Sequence, residues 1–508
     1  MPGCYSARHV QFVVPRIAGS PSAEEVDAMT ARVEAGLRAV RIVAERTDPT
    51  APIGSGAIAR SLGVSPSSAS RLCAELVGLR LLEEGGAYGS FRLGPAAVRL
   101  SGRSAAPVAH AVRYALTIAA QYTGETACLA ARSGEHMHIV ATVGSEWTLH
   151  APADLGERIT EGSAIARAGR TADVSRGETT DASDSTGRIV ESTAGKCIEV
   201  ATAVLGPDGE GIAVVAIRLP VNRSRGGVPR ARRAVEAARR RIEAVLADAS
   251  AAGGPAADPD PGSGTSDSAE RTTALEATVR VLQHLAATPD SVTGVARGTG
   301  IRADRVVRLL DSCARAGVVE SWAGRGAWAL TWGVHGWHRA ATGPTLTTRG
   351  RQYVARAAAD TGTYGFITIL RGIRSFTVVE ELGDPDGGLV MMPWLGRPHP
   401  IIGSDGGPTL VMDFAPDDLA RLLGKRHARH EFDALLSRME TVARDGVISI
   451  ESIEEAGLLS VSAPIRDASG LVVGAACLTC GADAVGPDRR GLEEATLRLA
   501  ADLSRLLG

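Results

Sequence analysis

Hydrophobic residues near the start of the chain recur with helical spacing and are interrupted by a tight turn. The apolar positions of residues 28–46 follow the period of a helix, and two shorter helical patterns follow within residues 57–72. Gly63 can adopt the positive φ that a sharp exit from a helix requires. Ser65 and Pro66 suit the N-cap and the first turn of the next helix. The pattern predicts a helix-turn-helix.

Two short strand patterns come next, over residues 81–84 and 90–95, with a glycine-rich turn between them. They predict a β-hairpin, and three helices followed by a hairpin make a winged helix-turn-helix. An ordinary helical hairpin is the alternative interpretation of the two short helices. Small hydroxyls and an arginine at a helix N-terminus suit a DNA major groove and its flanking phosphates. The candidate DNA-binding residues are Ser65, Ser67, Ser68, Ser70 and Arg71 in the second helix of the pair, with Tyr88 and Arg92 in the wing.

The composition of the chain limits where such a function can reside. The 508 residues carry a formal net charge of −2, so any DNA-binding surface must be local. A chain of this length suggests roughly three to four domains. No apolar run is long enough to span a membrane, and the N-terminus does not read as a secretory signal, which favours a cytoplasmic protein. The seven scattered cysteines are typical of free thiols in a reducing compartment.

The apolar first helix of the pair (residues 58–64), the serine-rich second helix and the wing segment Phe-Arg-Leu-Gly-Pro at 91–95 resemble the IclR-type transcription regulators. The resemblance implies a linker helix leading into a GAF-like ligand-binding domain, and binding as a dimer to a palindromic operator. The chain continues accordingly: a helical pattern covers 107–122, strand patterns cover 123–130, 136–141 and 201–219, and a basic amphipathic helix covers 230–248.

The whole pattern then starts again. Gly63 matches Gly300 and Arg71 matches Arg308, and both pairs are 237 residues apart. The offset is 240 at Gly156 and Gly396 but 261 at Gly209 and Gly470, so the first copy lacks about 21 residues present in the second. We expect an α+β fold in which two winged helix-turn-helix domains are each followed by a GAF-like α/β ligand domain. The expected organisation is a loose tail over 1–26, a winged helix-turn-helix over 27–103, a linker helix and shortened GAF-like domain over 104–250, a flexible linker over 251–269, a second winged helix-turn-helix over 270–343, and a linker helix and GAF-like effector domain over 344–508.

The second copy departs from the first at its DNA-binding positions. Asp304 and Val307 stand where the first copy has Ser67 and Ser70, while a positive face remains at Arg302, Arg305, Arg308 and Arg325. Two interpretations stay open: this copy also binds DNA, or it only supports dimerisation. For the effector pocket, the resemblance points to Gly162 and Ser163 in the first copy and to Gly403 and Ser404 in the second. The alternative is a sheet domain kept for oligomerisation.

No cluster of acid, base or nucleophile rises above background, and we expect no enzyme, metal or cofactor. His335 and His338 have helical spacing but no third metal-ligating residue nearby, which favours surface or capping roles. Cys477 and Cys480 are predicted core residues. We expect a sequence-specific DNA-binding transcription regulator, a repressor rather than an activator, that responds to a small-molecule effector. It acts on a double-stranded DNA operator as a pseudo-dimer within one chain, and a homodimer of the chain is the alternative assembly. The alternative is a ligand sensor or scaffold with degenerate DNA binding.

Overall fold

The computed structural model describes residues 23–174, 189–251, 272–322, 326–383, 391–423, 427–453, 455–482 and 489–508. Helices and antiparallel sheets alternate along the chain, and one order of elements occurs twice. Most of the predicted tail and of the predicted flexible linker lies outside the described residues, as does Arg325. Among the described residues, no helix is both long and apolar enough to cross a membrane.

The first winged helix-turn-helix begins earlier than the sequence suggests. Its first helix starts at Ala23, so the predicted boundary between residues 26 and 27 falls inside a helix. A short strand before the helix pair adds a third strand to the wing, in the order β1-β3-β2. The elements are α1 (Ala23–Ala44), β1 (Ile53–Gly54), α2 (Ser55–Leu62), α3 (Pro66–Gly78), β2 (Leu82–Glu84) and β3 (Ser90–Leu93).

The linker helix of the first copy, α4 (Pro95–Thr123), is also longer than predicted. It starts directly after the wing because Pro95 occupies the first helical turn, where its missing N–H costs nothing. Gly94 allows the wing to turn tightly into this helix, since a Cβ there would lie 2.3 Å from the carbonyl oxygen of Arg80. The predicted domain boundary between residues 103 and 104 therefore lies within one continuous helix.

The first ligand-type domain is a five-stranded antiparallel sheet in the order β5-β4-β8-β7-β6. The long helices α4 and α6 pack on one face, and α5 packs on the other. The elements are β4 (Thr126–Ser133), β5 (His136–Val143), α5 (Ala164–Val174), β6 (Val190–Ala194), β7 (Cys197–Leu205), β8 (Gly211–Pro220) and α6 (Ser224–Ala251).

The second half repeats this order with a broken linker helix. The kink follows α10 at Gly350, where a Cβ would lie 2.3 Å from the carbonyl oxygen of Leu346. The predicted boundary between residues 343 and 344 falls inside α10. The elements are α7 (Ala274–Ala287), α8 (Val292–Thr299), α9 (Ala303–Arg315), β9 (Val319–Trp322), β10 (Ala327–Leu330), a 3-10 turn over Trp332–Gly336, α10 (Trp337–Thr348) and α11 (Arg351–Thr361).

The second ligand-type domain has a six-stranded sheet in the order β13-β12-β11-β16-β15-β14. Two of its helices, α13 (Pro416–Leu423) and α14 (Arg429–Asp445), lie in the region where the sequence offsets show about 21 residues that the first copy lacks. The elements are β11 (Tyr364–Arg371), β12 (Arg374–Glu381), β13 (Pro398–Pro400), α12 (Gly407–Val411), α13 (Pro416–Leu423), α14 (Arg429–Asp445), β14 (Ile448–Glu451), β15 (Leu458–Arg466), β16 (Val472–Gly481) and α15 (Arg489–Leu506).

The two winged domains share one hydrophobic core, to which α1 and α4 contribute from the first half and α7, α9 and α10 from the second. The Arg41 guanidinium donates a hydrogen bond to the Ala316 carbonyl oxygen, 2.6 Å away. The Ser101 hydroxyl lies 2.9 Å from Nδ1 of His338, a residue 237 positions later and therefore its equivalent. Contact between equivalent residues is what a local two-fold axis produces.

Each half also contacts the sheet domain of the other half. Gly333 and Gly336, in the 3-10 turn of the second half, pack against the first sheet, and a Cβ on Gly333 would lie 2.6 Å from the carbonyl oxygen of Arg132. From the first half, Arg113 on α4 donates hydrogen bonds to the carbonyl oxygens of Val472 (2.6 Å) and Leu410 (3.1 Å) in the second sheet domain. Burial lowers the pKa of Arg113 to about 10. The linker helix of one copy is thus tied to the sheet domain of the other.

Candidate nucleic-acid interface and ligand cavity

The N-terminal face of α3 is open to solvent, while its other face is core. Ser65 caps the helix by accepting a hydrogen bond from the Ser68 backbone N–H at 3.2 Å. All five predicted DNA-binding residues of this helix (Ser65, Ser67, Ser68, Ser70 and Arg71) are exposed, while Ala69, Leu72, Cys73 and Leu76 are buried. Because the buried side fixes the helix, the exposed hydroxyls and the Arg71 guanidinium are held on one surface.

The two predicted wing residues differ in placement. Tyr88 is fully exposed at the tip of the hairpin. Arg92 instead lies within the sheet, where its Nε donates a hydrogen bond to the Glu83 carboxylate at 2.9 Å. Arg349 of the second half approaches the same carboxylate at 3.5 Å, so this part of the wing faces α10. Sequence periodicity cannot distinguish these two environments, because Glu83 becomes the partner of Arg92 only through strand register.

The second recognition helix, α9, holds its charges differently. It has no side-chain N-cap, since Arg302 occupies the position of Ser65. Asp304 accepts hydrogen bonds from Arg302 (3.2 Å) and Arg308 (3.4 Å). Arg305 turns away and donates to the carbonyl oxygen of Thr272 at 2.9 Å. Val307 is exposed. The positive face expected from sequence is therefore partly engaged within the chain.

A cavity that is partly open to solvent lies in the second sheet domain, and its interior offers about 50 Å³ to the centre of a water-sized sphere. Its lining includes hydroxyls on four neighbouring strands, the acids Asp405 and Glu455, and the stacked rings of Trp394 and His399, whose centroids are 4.7 Å apart. The lining hydroxyls belong to Thr368, Ser375, Thr377, Ser404, Ser452, Ser460 and Thr479. Most of these were missed at the sequence level, although hydroxyls alternating at 375 and 377 and at 460 and 462 are the available signal.

Asp405 is the most buried acid of this lining. Its carboxylate accepts hydrogen bonds from the Ser452 hydroxyl (2.6 Å) and the Ile453 backbone N–H (2.8 Å). Burial raises its pKa, while these hydrogen bonds and the charge of Arg438 act in the opposite direction. Burial, together with the charge of Arg397, lowers the pKa of His399. The ring of His399 is consequently neutral at pH 7.

The same sheet face in the first half is filled. Ala130 lies opposite Ile139 in the first sheet, where the second sheet pairs Thr368 with Thr377. Ile139 packs in a hydrophobic cluster with Ile165 of α5. We call this face, carrying α5 in the first half and α12 in the second, the ligand face. Its hydroxyls in the second half are thus replaced by core side chains in the first.

The rim of the first ligand face carries an ion pair where the second has hydroxyls. Arg218 lies opposite Glu199 and donates to its carboxylate at 3.1 Å; the second sheet pairs Thr479 with Ser460 at the corresponding positions. Arg218 also bonds to Glu157 at 2.8 Å. The pair lines the broad groove at this end of the face.

The four residues predicted for the effector pockets lie in different environments. Ser404 lines the second cavity and is hydrogen-bonded to Ser375 at 2.8 Å, whereas Gly403 is not part of the lining. Ser163 lines a broad surface groove and caps α5 by accepting the Ala166 backbone N–H at 3.1 Å. Gly162 is exposed. The structure therefore brings only one of the four into an enclosed site.

His335 and His338 are not at the surface, contrary to the sequence-based expectation. Both are buried where the two halves meet, and the Nε2 of His338 lies 3.5 Å from the Asp467 carboxylate. The Ser101, His338 and Asp467 side chains form a line that resembles a catalytic triad, yet Ser101 and His338 are 0% exposed, so no substrate can reach the hydroxyl. Burial lowers the pKa of His335 to about 3. These histidines remain neutral structural groups.

The remaining sequence expectations about ligating residues concern cysteines and metals. Cys477 and Cys480 are buried, as predicted for core positions, and neither forms a disulfide with another described residue. Burial raises the pKa of the Cys480 thiol. Within the described part of the chain, no group of three or more His, Cys, Asp or Glu side chains is placed to hold a metal ion.

Comparison with known proteins gives matches among solved structures alone, because no family model and no curated protein matches the chain. An IclR-family regulator from Rhodococcus sp. is 23% identical, with 48% of this chain covering 98% of that one at a TM-score of 0.36. HmgR of Pseudomonas aeruginosa is 18% identical to this chain, and the match covers 47% of this chain and 98% of HmgR at a TM-score of 0.36. An IclR homolog from Microbacterium hydrocarbonoxydans, complexed with 4-hydroxybenzoate, is 17% identical to this chain. The match covers 46% of this chain and 97% of the homolog at a TM-score of 0.29. Solved structures to which this chain is similar thus include IclR-type transcription regulators, each of these three matched by about half of the chain.

Proposed function

We propose that the protein is a sequence-specific DNA-binding transcription regulator, with α3 as its principal recognition helix. The observation that carries this proposal is the exposed face of Ser65, Ser67, Ser68, Ser70 and Arg71 on a helix whose other face is buried. Hydroxyl and guanidinium groups in this position reach base edges and phosphates when the helix enters a major groove. Tyr88 at the wing tip would contact the flanking backbone.

The chain acts as an asymmetric pseudo-dimer in this proposal. The shared core of the winged domains and the contact between Ser101 and His338 support two recognition helices related by a local two-fold axis. Such a pair fits two half-sites of an imperfect palindrome, about 10 base pairs apart. The fixed partner raises the effective concentration of the second helix at the DNA. The tandem duplication of one ancestral unit explains the repeated element order.

We further propose that the second sheet domain receives an effector and acts on DNA binding through α4. The cavity is lined by Cys477 and Thr479 of β16, and the first residue of that strand, Val472, accepts a hydrogen bond from Arg113 of α4. The turn before β16 also packs on α4, since a Cβ on Gly102 would lie 2.3 Å from the Ala468 carbonyl carbon. A ligand that moves β16 would therefore shift the linker helix. A bias of a few kcal/mol is enough to change operator occupancy tenfold or more.

The biological outcome we propose is repression in the cytoplasm, through occupancy of an operator that overlaps a promoter. A reporter fused to the gene's own upstream region tests this point. Co-expression of the protein should lower reporter output, and Arg71→Ala should restore it. A rise in output with the wild-type protein would instead identify an activator.

The second candidate function is a ligand sensor or scaffold with degenerate DNA binding. Two observations favour it for the second half: Asp304 engages Arg302 and Arg308, and Val307 is exposed at the recognition surface. The two candidates differ in salt dependence, because phosphate contacts release counterions and make DNA affinity fall steeply with salt. A DNA affinity that is absent at low salt would favour the sensor.

The decisive experiment compares Arg71→Ala with Arg308→Ala in fluorescence anisotropy on the protein's own upstream DNA. Arg429→Ala is the matched control, since its guanidinium is 95% exposed on α14, outside both winged domains. We expect about tenfold weaker binding for each recognition variant and no change for the control. Loss from Arg71→Ala alone would leave a one-sided regulator and refute the pseudo-dimer. If neither variant lowers the DNA affinity, the proposal that these helices contact DNA is refuted.

A further inference from the structure

The cavity of the second half has a chemical character that selects among effectors. Its described lining contains two carboxylates, Asp405 and Glu455, and no lysine or arginine. Residues 384–390 and 454, which fall outside the described ranges next to this lining in sequence, contain no basic residue. A bound anion would therefore meet carboxylates without a facing cation.

The nearby basic groups lie outside the lining. Arg438 acts on Asp405 and Arg397 acts on His399 through their charges, but neither side chain belongs to the cavity wall. His399 is neutral because burial lowers its pKa. Its ring can therefore serve as a hydrogen-bonding and stacking group, without supplying a positive charge to a ligand.

The remaining wall suits a small ligand with one polar end. Phe366, Met391 and Trp394 offer apolar surface, and the buried hydroxyls of Ser375 and Thr377 offer hydrogen bonds. A hydrogen-bond donor that carries positive charge would complement the Asp405 carboxylate.

We propose that this cavity binds a small organic amine in its cationic form, with the ammonium group at Asp405 and the apolar body against Phe366, Met391 and Trp394. The inference rests on the proposed effector role of the second sheet domain and adds its ligand class. The first half binds no such ligand, because Ile139 and Ile165 fill its ligand face.

The test uses three probes that share one ring and differ in charge: 4-hydroxybenzylamine, 4-hydroxybenzyl alcohol and 4-hydroxybenzoate. Isothermal titration of the full chain at pH 7 should show the amine binding about tenfold tighter than the alcohol, and one amine per chain. The benzoate should bind more weakly than the alcohol. Absence of amine binding, or benzoate binding at least as tight as the amine, would overturn the proposal.

Two variants test whether Asp405 is the residue that binds the ammonium group. Asp405→Asn keeps an acceptor for the Ile453 N–H and should remove the preference of amine over alcohol, with alcohol binding retained. Asp433→Asn is the matched control, because this acid is 64% exposed on α14 and should leave the preference intact. A preference that survives Asp405→Asn would overturn the assignment of the ammonium site.

DNA anisotropy on the same samples separates this inference from the regulatory proposal. DNA binding without amine binding would overturn the ligand class and leave the regulator standing. Amine binding without DNA binding would support the ligand class and refute the regulator.

Discussion

The two ligand faces share a strand register and differ in what their side chains do. Thr368 and Thr377 line a cavity in the second half, whereas their register equivalents Ala130 and Ile139 belong to a packed cluster in the first. The backbone is kept in both halves because the opposite sheet face remains apolar under the long helices. One face of a sheet can thus be converted from binding surface to core while the fold persists.

The two proposed recognition helices also differ, but here it is the first half that keeps an exposed polar face. The first presents four exposed hydroxyls and the exposed Arg71, while Asp304 engages two arginines in the second. The half with the filled ligand face therefore carries the exposed surface that we propose contacts DNA. The half with the cavity carries the self-engaged one. Under the proposed function, the first half is the principal DNA-binding half and the second half binds the effector.

The largest expected effect tests the ion pair at the rim of the first ligand face. Arg218→Thr introduces the second half's residue and leaves Glu199, whose side chain is 8% exposed, without its cation. We expect a loss of about 3–5 kcal/mol in unfolding free energy, as for other broken buried pairs. Urea denaturation followed by circular dichroism measures it.

The matched double variant, Glu199→Ser with Arg218→Thr, recreates the hydroxyl pair of Ser460 and Thr479. It should recover part of the loss, because no unpaired buried charge remains. Full recovery is not expected, since Glu199 also accepts the Ile165 backbone N–H. A single variant within 1 kcal/mol of wild type would contradict a structural role for the pair.

The next effect compares Ile139→Ala with Thr377→Ala at equivalent strand positions. Ile139 is 1% exposed in a packed cluster, so its truncation should cost about 2–4 kcal/mol. Thr377 lines a cavity, and we expect its truncation to cost about 1 kcal/mol or less because few packed neighbours are lost. Equal losses in urea denaturation would show that the second face is a packed core as well.

A third effect is the pH dependence of stability that comes from His335, which is buried where the two halves meet. His335 corresponds to Val98 of the first half, and burial lowers its pKa to about 3 from an ordinary value near 6.5. The folded chain keeps this ring neutral while the unfolded chain binds a proton below pH 6.5. Its stabilising effect is therefore complete above pH 6.5 and is lost as the pH falls towards 3.

His335→Val removes this titration and gives both halves the same residue. Between pH 6.5 and 5, wild type should lose about 2 kcal/mol more unfolding free energy than the variant. The contributions of His338 and Asp467 are present in both proteins and cancel in this difference. Denaturation curves at the two pH values measure it, and parallel losses would show that His335 is protonated in the folded chain.

The smallest effect concerns the second recognition helix. Asp304→Ser gives it the residue that the first helix has at Ser67 and releases Arg302 and Arg308. We expect DNA affinity to rise about three- to tenfold at low salt, with a steeper salt dependence. Asp311→Ser, at an exposed acid on the same helix, is the control. An unchanged affinity would indicate that this helix does not approach DNA.

The sequence predicted those features that local chemistry dictates. Gly63, Ser65 and Pro66 define the turn and the start of α3, and the structure has all three in these roles. The rise of the sequence offset from 240 to 261 predicted extra residues in the second half, and α13 and α14 lie in that region. Boundaries failed where the chain continues in one conformation: Pro95 starts a helix that runs through a predicted domain border.

The cavity and the pairings required tertiary information. Thr368 and Asp405 are 37 positions apart in sequence and meet only because strands and loops converge, so no periodicity reveals them. Arg92 was expected at DNA, yet strand register gives it Glu83 as a partner. The histidines 335 and 338 look like surface residues in sequence because their burial comes from the other half of the chain.

The sequence by itself therefore determined the repeated order of elements, the caps and the open face of α3, because each depends on residues a few positions apart. Tertiary structure decided which ligand face is empty, which arginines are engaged and how the linker helix of one half is tied to the sheet of the other. These properties depend on contacts between residues distant in the chain. Two similar sequences can satisfy one backbone while burying different side chains, and only the packed structure tells them apart.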